Sequence, residues 1–129
     1  MSRILIVDDA SNSRETLAKL LRIEGYETSV AGSGTDALTR LKQTKPDMIL
    51  LDHMMPEVDG LTFLAGIRRF PKWKDLPVIM MSGLKDRQCQ MKAHALGVRE
   101  YLVKSEFTTT HLLERIQTHL TSKPVGAGF

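Results

Sequence analysis

Five polar residues share one feature of the sequence: each comes immediately after, or one residue later than, a short apolar run of the kind that forms a buried strand. They are Asp8, Asp9, Asp52, Ser82 and Lys104. An unpaired carboxylate is costly inside such a strand, but the carboxyl ends of parallel strands meet at the edge where open α/β sheets bind their ligands. The sequence therefore predicts three acids, a hydroxyl and an amine at one edge of a sheet.

The chemistry of such a set follows from its charges. Carboxylates held close together repel one another unless a cation lies among them. Their hard oxygens suit Mg²⁺, which binds one or two carboxylates together with phosphate oxygens. An ammonium group and a hydroxyl can hold the oxygens of a transferring phosphoryl group while a carboxylate attacks the phosphorus in line. The set is therefore suited to phosphoryl transfer onto an aspartate.

The elements that must position these residues alternate between strand and helix. This alternation is typical of an α/β domain with a parallel sheet and helices on both faces, and right-handed crossovers leave few topologies. We expect a five-stranded parallel sheet in the flavodoxin-like order 2-1-3-4-5. The half-polar strand at residues 27–31 suits an edge, and the apolar run that ends in Asp52 suits the centre.

Side chains that could cap a helix N-terminus precede three of the predicted helices. Asn12 with Glu15, and Ser33 with Asp36, have the spacing of a capping box. Asp59 is interpreted as the N-cap of the third helix. Each of these caps would fix the point at which a loop turns into a helix.

The bulk composition is typical of a single globular domain. The chain has 129 residues, of which 42% are hydrophobic and 26% are charged, and a chain of this length can bury a core without staples. Its one cysteine, Cys89, excludes an internal disulfide framework and a cysteine-based zinc site. The net charge of +3 comes without an arginine-rich tract, so we expect no direct binding of nucleic acid.

The domain boundary is predicted near the end of the chain. We expect one domain over residues 1–121, followed at 122–129 by a flexible tail or the start of a linker. Nothing at the N-terminus resembles a signal peptide, and no apolar run is long enough to span a membrane. These features predict a cytoplasmic protein without a membrane partner.

Taken in chain order, the motifs resemble the receiver domains of bacterial two-component response regulators, and in particular chemotaxis regulators. They are the pair Asp8-Asp9, the loop Asp52-His53-Met54-Met55-Pro56-Glu57-Val58-Asp59-Gly60, the pair Ser82-Gly83, Tyr101 and Lys104. The likeness covers residues 2–121. It implies a phosphoacceptor in signal transduction, which is a signalling domain and not an enzyme that turns over a separate substrate.

The resemblance also implies a metal site and a donor. Asp52 would accept the phosphoryl group from a histidine kinase, a phosphotransfer protein or a small phosphodonor. Mg²⁺ would be bound by Asp9, Asp52 and the backbone carbonyl of Met54. Asp8 would act on the metal mostly through water.

A conformational switch is implied by the same likeness. Lys104 and Ser82 would contact the phosphoryl group, and Ser82 would move to bond it. Tyr101, the switch aromatic, would then turn inward. We expect the surface of the fourth helix, the last strand and the last helix to change as a result, so that it binds a downstream protein target or effector domain.

Two features depart from the common pattern of that family. Ser105 follows Lys104 where a proline joined by a cis peptide is usual. A cis bond before a non-proline residue costs about 3 kcal/mol, so either that strain is retained or the peptide is trans and Lys104 sits differently. Met54 and Leu84, two residues after the acceptor and after the hydroxyl, are apolar where other members place groups that orient water. We therefore expect them to restrict water access.

Three other functions fit part of the pattern. A haloacid-dehalogenase-type phosphatase also uses an aspartate nucleophile and Mg²⁺, but it needs a second acid where Met54 stands. A nucleotide-binding module would need a glycine-rich turn from strand to helix, which is not present. A receiver that only binds a partner would be expected to have lost some of the acids. His53, beside the acceptor, is interpreted as a solvent-facing loop residue.

Overall fold

The computed structural model of the chain describes residues 2–55 and 57–121, so Pro56 and the predicted tail at 122–129 lie outside the described residues. The strands are β1 (Arg3–Val7), β2 (Glu27–Ala31), β3 (Met48–Asp52), β4 (Val78–Ser82) and β5 (Glu100–Val103). They form one parallel sheet in the order β2-β1-β3-β4-β5, which confirms the predicted topology. Within the described ranges, no helix is both long and apolar enough to cross a lipid bilayer.

Five helices cover the two faces of the sheet. They are α1 (Ser11–Ile23), α2 (Gly34–Thr44), α3 (Gly60–Ile67), α4 (Arg87–Ala95) and α5 (Thr109–Thr121). Because successive strand residues point to opposite faces, Leu5 and Ile49 pack on the side of α2, α3 and α4, whereas Ile4 and Leu50 pack on the side of α1 and α5. The apolar runs are thus buried on both faces, as a parallel sheet requires.

The register of the strands keeps their carboxyl ends level. Leu51 of β3 pairs with Val7 of β1 and with Met80 of β4, and Ser82 at the end of β4 pairs with Val103 of β5. Residues at or just after the strand ends therefore fall along one edge of the sheet, where the predicted site residues belong.

Two of the three predicted helix caps are confirmed. Ser33 accepts a hydrogen bond from the backbone N–H of Asp36 at 3.1 Å, and Asp59 accepts one from Thr62 at 2.8 Å. The predicted cap at Asn12 is wrong, because α1 already begins at Ser11. The backbone N–H of Ala10, the residue before the helix, instead donates to the carboxylate of Asp8 at 2.9 Å.

Arg68 joins α4 to the segment that follows α3. Its guanidinium donates to four backbone carbonyls, namely those of Leu96 and Trp73 and Leu76 at 2.8 Å and that of Gly97 at 3.3 Å. The C-terminal end of α4 is thereby held against a short 3₁₀ turn, Pro71–Trp73. Trp73 of this turn is buried in the core.

Candidate functional site

The predicted site residues lie together at the carboxyl edge of the sheet. Asp52 is the last residue of β3 and is only 2% exposed. Ser82 is the last residue of β4 and is fully buried, while Lys104 directly follows β5. Asp8 and Asp9 follow β1, the first buried and the second exposed. The level strand ends therefore bring acids, hydroxyl and amine to one place.

The three acids form a cluster that fits a hard divalent cation. One carboxylate oxygen from each of Asp8, Asp9 and Asp52 can be chosen so that all three lie within 4.8 Å of one another. Oxygen donors so close together repel one another, and Mg²⁺ is the kind of ion that prefers them. One oxygen of the Asp8 carboxylate accepts a hydrogen bond from the N–H of Ala10, and this bond fixes the orientation of the carboxylate.

Asp52 has two neighbours that stabilise its charged form. The ammonium of Lys104 lies 3.2 Å from one carboxylate oxygen, and the backbone N–H of Met54 donates to the other at 3.1 Å. Burial nevertheless raises the pKa of Asp52, with Lys104 and the N–H of Met54 opposing that rise. Each oxygen of the Asp52 carboxylate thus has one partner that fixes its position.

The departure at Ser105 does not displace the lysine. No peptide bond among residues 2–55 and 57–121 is cis, so the Lys104–Ser105 bond is trans. The backbone N–H of Lys104 donates to the carbonyl of Ser82 at 2.7 Å. The hydrogen bonding between β4 and β5 therefore continues as far as Lys104. Of the two predicted alternatives, the trans peptide is found, and Lys104 still reaches Asp52.

The loop after β3 folds back on itself beneath the acceptor. The carbonyl of His53 accepts hydrogen bonds from the backbone N–H groups of Met55 at 3.1 Å and Gly60 at 2.9 Å. A Cβ atom at position 60 would lie 2.8 Å from both the carbonyl oxygen of Asp52 and the Cα of His53. Gly60 therefore lets the start of α3 approach the acceptor backbone directly.

His53 is not solvent-facing, and that interpretation was wrong. The residue is 8% exposed, and its Nδ1 has no hydrogen-bond partner among the described residues. His53 lies in the folded-back loop, where its backbone carbonyl is bonded to the N–H of Gly60. A glycine eight residues after the end of β3 was the signal that could have indicated this close approach.

The hydroxyl of Ser82 and the ring of Tyr101 meet at the loop between β4 and α4. Ser82 accepts a hydrogen bond from the N–H of Leu84 at 3.0 Å, and the hydroxyl of Tyr101 donates to the carbonyl of Leu84 at 2.9 Å. Burial and a contact with Cys89 raise the pKa of Tyr101 to about 12. Cys89 was missed as a member of this cluster, since a single cysteine on a polar helix gives no pattern.

Two residues next to the site carry exposed apolar side chains, and their backbone N–H groups bond to Asp52 and Ser82. Met54 is 53% exposed and Leu84 is 42% exposed. Each lies two residues beyond a group at the bottom of the site, Asp52 and Ser82 respectively. Single exposed apolar side chains are common on protein surfaces, so the feature that distinguishes these two is their place in the sequence beside the site.

Comparison with known proteins agrees with this geometry. The sequence matches the family described as response regulator receiver domain over residues 4–117. It is 36% identical to a protein-glutamate methylesterase/protein-glutamine glutaminase of Rhodospirillum rubrum over 98% of this chain but 34% of that protein. It is 33% identical to the DNA-binding response regulator MtrA of Mycobacterium tuberculosis, over 92% of this chain and 50% of that protein. The chain thus spans a third to a half of these longer relatives.

Other relatives match over nearly their whole length. Protein PilG of Pseudomonas aeruginosa is 34% identical over 97% of this chain and 93% of its own. The solved structure of chemotaxis protein CheY4 of Vibrio cholerae has a TM-score of 0.85 at 29% identity, covering 92% of this chain and 98% of its own. Response regulator TrrA of Thermotoga maritima, solved in complex with Mg²⁺ and BeF, has a TM-score of 0.78 at 33% identity, covering 93% and 99%.

These matches support both the fold and a general role in signalling. The family match covers most of the chain, and the same parallel sheet with an acidic cluster at its carboxyl edge is found in the structure. Receiver domains serve signal transduction as phosphoacceptors. The chain therefore belongs to the family of response regulator receiver domains and resembles its chemotaxis regulators.

Proposed function

We propose that this domain accepts a phosphoryl group on Asp52 from the phosphohistidine of a kinase or phosphotransfer protein, or from a small phosphodonor. The observation that carries the proposal is the buried Asp52 carboxylate with Lys104 at 3.2 Å and two further acids beside it. The carboxylate oxygen attacks the phosphorus as the donor's phosphorus–nitrogen bond breaks, and the departing nitrogen takes a proton. The domain then catalyses only its own phosphorylation and slow dephosphorylation.

The acids have separate tasks in this proposal. Bound Mg²⁺ would neutralise charge on the phosphoryl oxygens. Asp9 and Asp52 would hold it together with the backbone carbonyl of Met54, and Asp8 would act mostly through water. The exposure of Asp9 and the fixed orientation of Asp8 support this division. Lys104 supplies the second positive charge.

The output is proposed to be the surface formed by α4, β5 and α5. A phosphoryl group adds charge and acceptor oxygens, and Ser82 would bond it. Two contacts support coupling from there: Tyr101 of β5 meets the β4–α4 loop, and Glu100 of β5 accepts hydrogen bonds from Arg115 at 2.6 Å and His119 at 3.0 Å of α5. A change at Ser82 can therefore reach a downstream protein target or effector domain.

The remaining parts of the proposal concern partners and place. A cytoplasmic location is proposed because receiver domains typically act there. Direct contact of this domain with nucleic acid is not proposed, although some longer relatives are DNA-binding regulators. In those proteins this chain corresponds to about half of the length. The domain boundary near residue 121 remains part of the same proposal.

The test is uptake of one phosphoryl group from acetyl phosphate with Mg²⁺, read by intact mass. The wild-type chain should gain one group, and Asp52→Asn should gain none. Asp9→Ala should weaken Mg²⁺ binding strongly and Asp8→Ala less so in a metal titration. Uptake by Asp52→Asn at the wild-type rate would contradict the assignment of the acceptor, and equal small effects of the two alanine variants would contradict the assignment of the ligands.

A further inference from the structure

Cys89 lies next to the switch residues but has no role in the function proposed above. It stands in the first turn of α4, is 5% exposed and is the only cysteine of the chain. Its sulfur lies 3.4 Å from the hydroxyl oxygen of Tyr101, and the same hydroxyl lies 2.9 Å from the carbonyl oxygen of Leu84. The polar end of the Tyr101 ring is therefore attached both to the β4–α4 loop and to α4 itself.

The two attachments differ in kind. A tyrosine hydroxyl has one proton to donate, and a carbonyl oxygen is a better acceptor than a thiol. The sulfur is nevertheless buried, so water does not compete for it, and a polar contact counts for more in such surroundings. Rotation of the ring away from the loop would break both contacts together, because both are made by the same atom.

We propose that Cys89 is a positioning residue of the switch, whose thiol helps to hold the Tyr101 ring against the β4–α4 loop before any phosphoryl group is present. This closed position of Tyr101 is defined by its bond to the carbonyl of Leu84. The inference rests on the proposed function in one respect, the use of Tyr101 as the switch aromatic. A contact made in only one of two conformations raises the population of that conformation. We take this closed position as the inward one that phosphorylation favours, so Cys89 biases the domain toward it and makes phosphorylation easier.

The first test measures how fast iodoacetamide alkylates Cys89, read by intact mass. Tyr101→Phe keeps the ring and removes the hydroxyl, so we expect alkylation to be about threefold to tenfold faster, the factor that one lost hydrogen bond gives. Tyr26→Phe removes the other tyrosine hydroxyl of the chain and should leave the rate unchanged. Equal rates in the wild type and in Tyr101→Phe would overturn the proposal.

The second test asks whether the thiol makes a polar contact with the Tyr101 hydroxyl or only fills space. In a Tyr26→Phe background Tyr101 is the only tyrosine, so its ring signals in NMR spectra need no further assignment. Cys89→Ala should shift these signals, and Cys89→Ser, which keeps a group that can hydrogen-bond to the Tyr101 hydroxyl, should restore them. Met91→Ala, at a largely exposed position of the same helix, is the control. Equal shifts in the serine and alanine variants, or none in either, would overturn the role.

The third measurement tests whether the contact between Cys89 and Tyr101 affects phosphorylation. Cys89→Ala should need about threefold to tenfold more acetyl phosphate for half-maximal phosphorylation, and Cys89→Ser should need the wild-type amount. The first two tests need no phosphorylation, so a wild-type chain that takes up no phosphoryl group would defeat the proposed function while those tests still decide on Cys89. If Cys89→Ala alters the NMR signals of the Tyr101 ring but needs no more acetyl phosphate than the wild type, Cys89 does not bias the switch.

Discussion

Asp52 must be ionised to act as a nucleophile, yet its surroundings favour the neutral form. Burial raises its pKa, and the nearby charge of Asp8 acts in the same direction. Lys104 opposes both but is itself partly exposed, which weakens its effect. The negative charge on Asp52 therefore lowers the stability of the folded domain when no cation is bound.

The pH dependence of stability follows from that sign. A carboxyl whose pKa is raised by folding stabilises the fold while it is protonated, and this contribution is lost as pH rises through the raised value. Without Mg²⁺, Asp52→Asn should therefore raise the Tm near neutral pH, by roughly 4 °C if the gain is about 1 kcal/mol. The gain should vanish at a pH below the ordinary aspartate range, where wild-type Asp52 is neutral too.

Thermal melts followed by circular dichroism at several pH values check this expectation. Glu114→Gln, at an exposed position on α5, is the matched control and should show no such gain. Addition of Mg²⁺ should reduce the advantage of Asp52→Asn, since the ion relieves the repulsion in the wild type. A variant less stable than the wild type at neutral pH without Mg²⁺ would contradict the argument.

Met54 and Leu84 give a prediction about the lifetime of the phosphoryl group. Hydrolysis needs a water in line with the phosphorus, and apolar side chains cannot orient one by hydrogen bonding. We expect decay over many minutes or longer, and faster decay in the double variant Met54→Asn with Leu84→Glu, because positioning of a reactant changes rates by orders of magnitude.

The measurement is loss of the phosphorylated species after desalting, wild type against double variant. Met91→Asn, an apolar-to-polar change on the exposed face of α4, controls for general surface effects. A wild-type half-life of seconds, or a double variant that decays no faster, would show that these two side chains do not control the water.

At the level of elements, the β3–α3 connection depends on one close approach. Gly60 begins α3 at a point where a Cβ would lie 2.8 Å from backbone atoms of Asp52 and His53. Backbone atoms cannot move aside as a flexible side chain can, so a larger residue must displace the acceptor strand or the helix. The position of Asp52 is thus linked to the identity of a residue eight positions later.

Two alanine substitutions in the same helix test this dependence. Gly60→Ala should destabilise the domain by about 2 kcal/mol through overpacking and should reduce phosphorylation. Gly66→Ala, where no neighbouring atom lies within 4 Å of the point that a Cβ would occupy, should stabilise it by about 0.5–1 kcal/mol, the usual gain of alanine over glycine inside a helix. Urea unfolding and intact mass measure both. Similar effects of the two substitutions would contradict the steric argument.

The elements that sequence reasoning placed correctly are those defined by local pattern. The apolar runs of β1, β3 and β4 and the Ser33 and Asp59 caps depend on residues a few positions apart. The cap at Asn12 was wrongly predicted because the Asn12–Glu15 spacing is also compatible with the inside of a helix. The N–H of Ala10, just before that helix, donates instead to the carboxylate of Asp8, which belongs to the site.

Over the whole molecule, the sheet order and the meeting of the acids at one edge could be predicted because parallel topology dictates both. The burial of His53, the fourfold bonding of Arg68 and the contact between Cys89 and Tyr101 could not. Each joins residues that are brought together by folding and carry no periodic pattern, so no spacing in the sequence indicates them.

Phosphorylation should change the molecule unevenly from one side to the other. We expect amide chemical shifts to change over residues 85–120 and to stay nearly constant in β2, at the far edge of the sheet. Within α4 the changes should be larger near Cys89 than near Leu96, because Arg68 holds the C-terminal end of that helix. Spectra recorded with and without acetyl phosphate and Mg²⁺ check this, with Asp52→Asn as the control. Shifts confined to the loops around Asp52 would contradict it.

Trp73 lies at the opposite end of the strands from Asp52. It is the chain's only tryptophan, and it is buried shortly before β4 begins, with the ammonium of Lys72 4.4 Å from its ring centre. Intrinsic fluorescence should therefore follow unfolding of the domain while remaining almost silent to Mg²⁺ and to phosphorylation. An optical assay for signalling would need a second indole near the acceptor, and the exposed side chain of Met54 offers a place for it. In such a variant the native tryptophan would serve as an internal standard of folded protein.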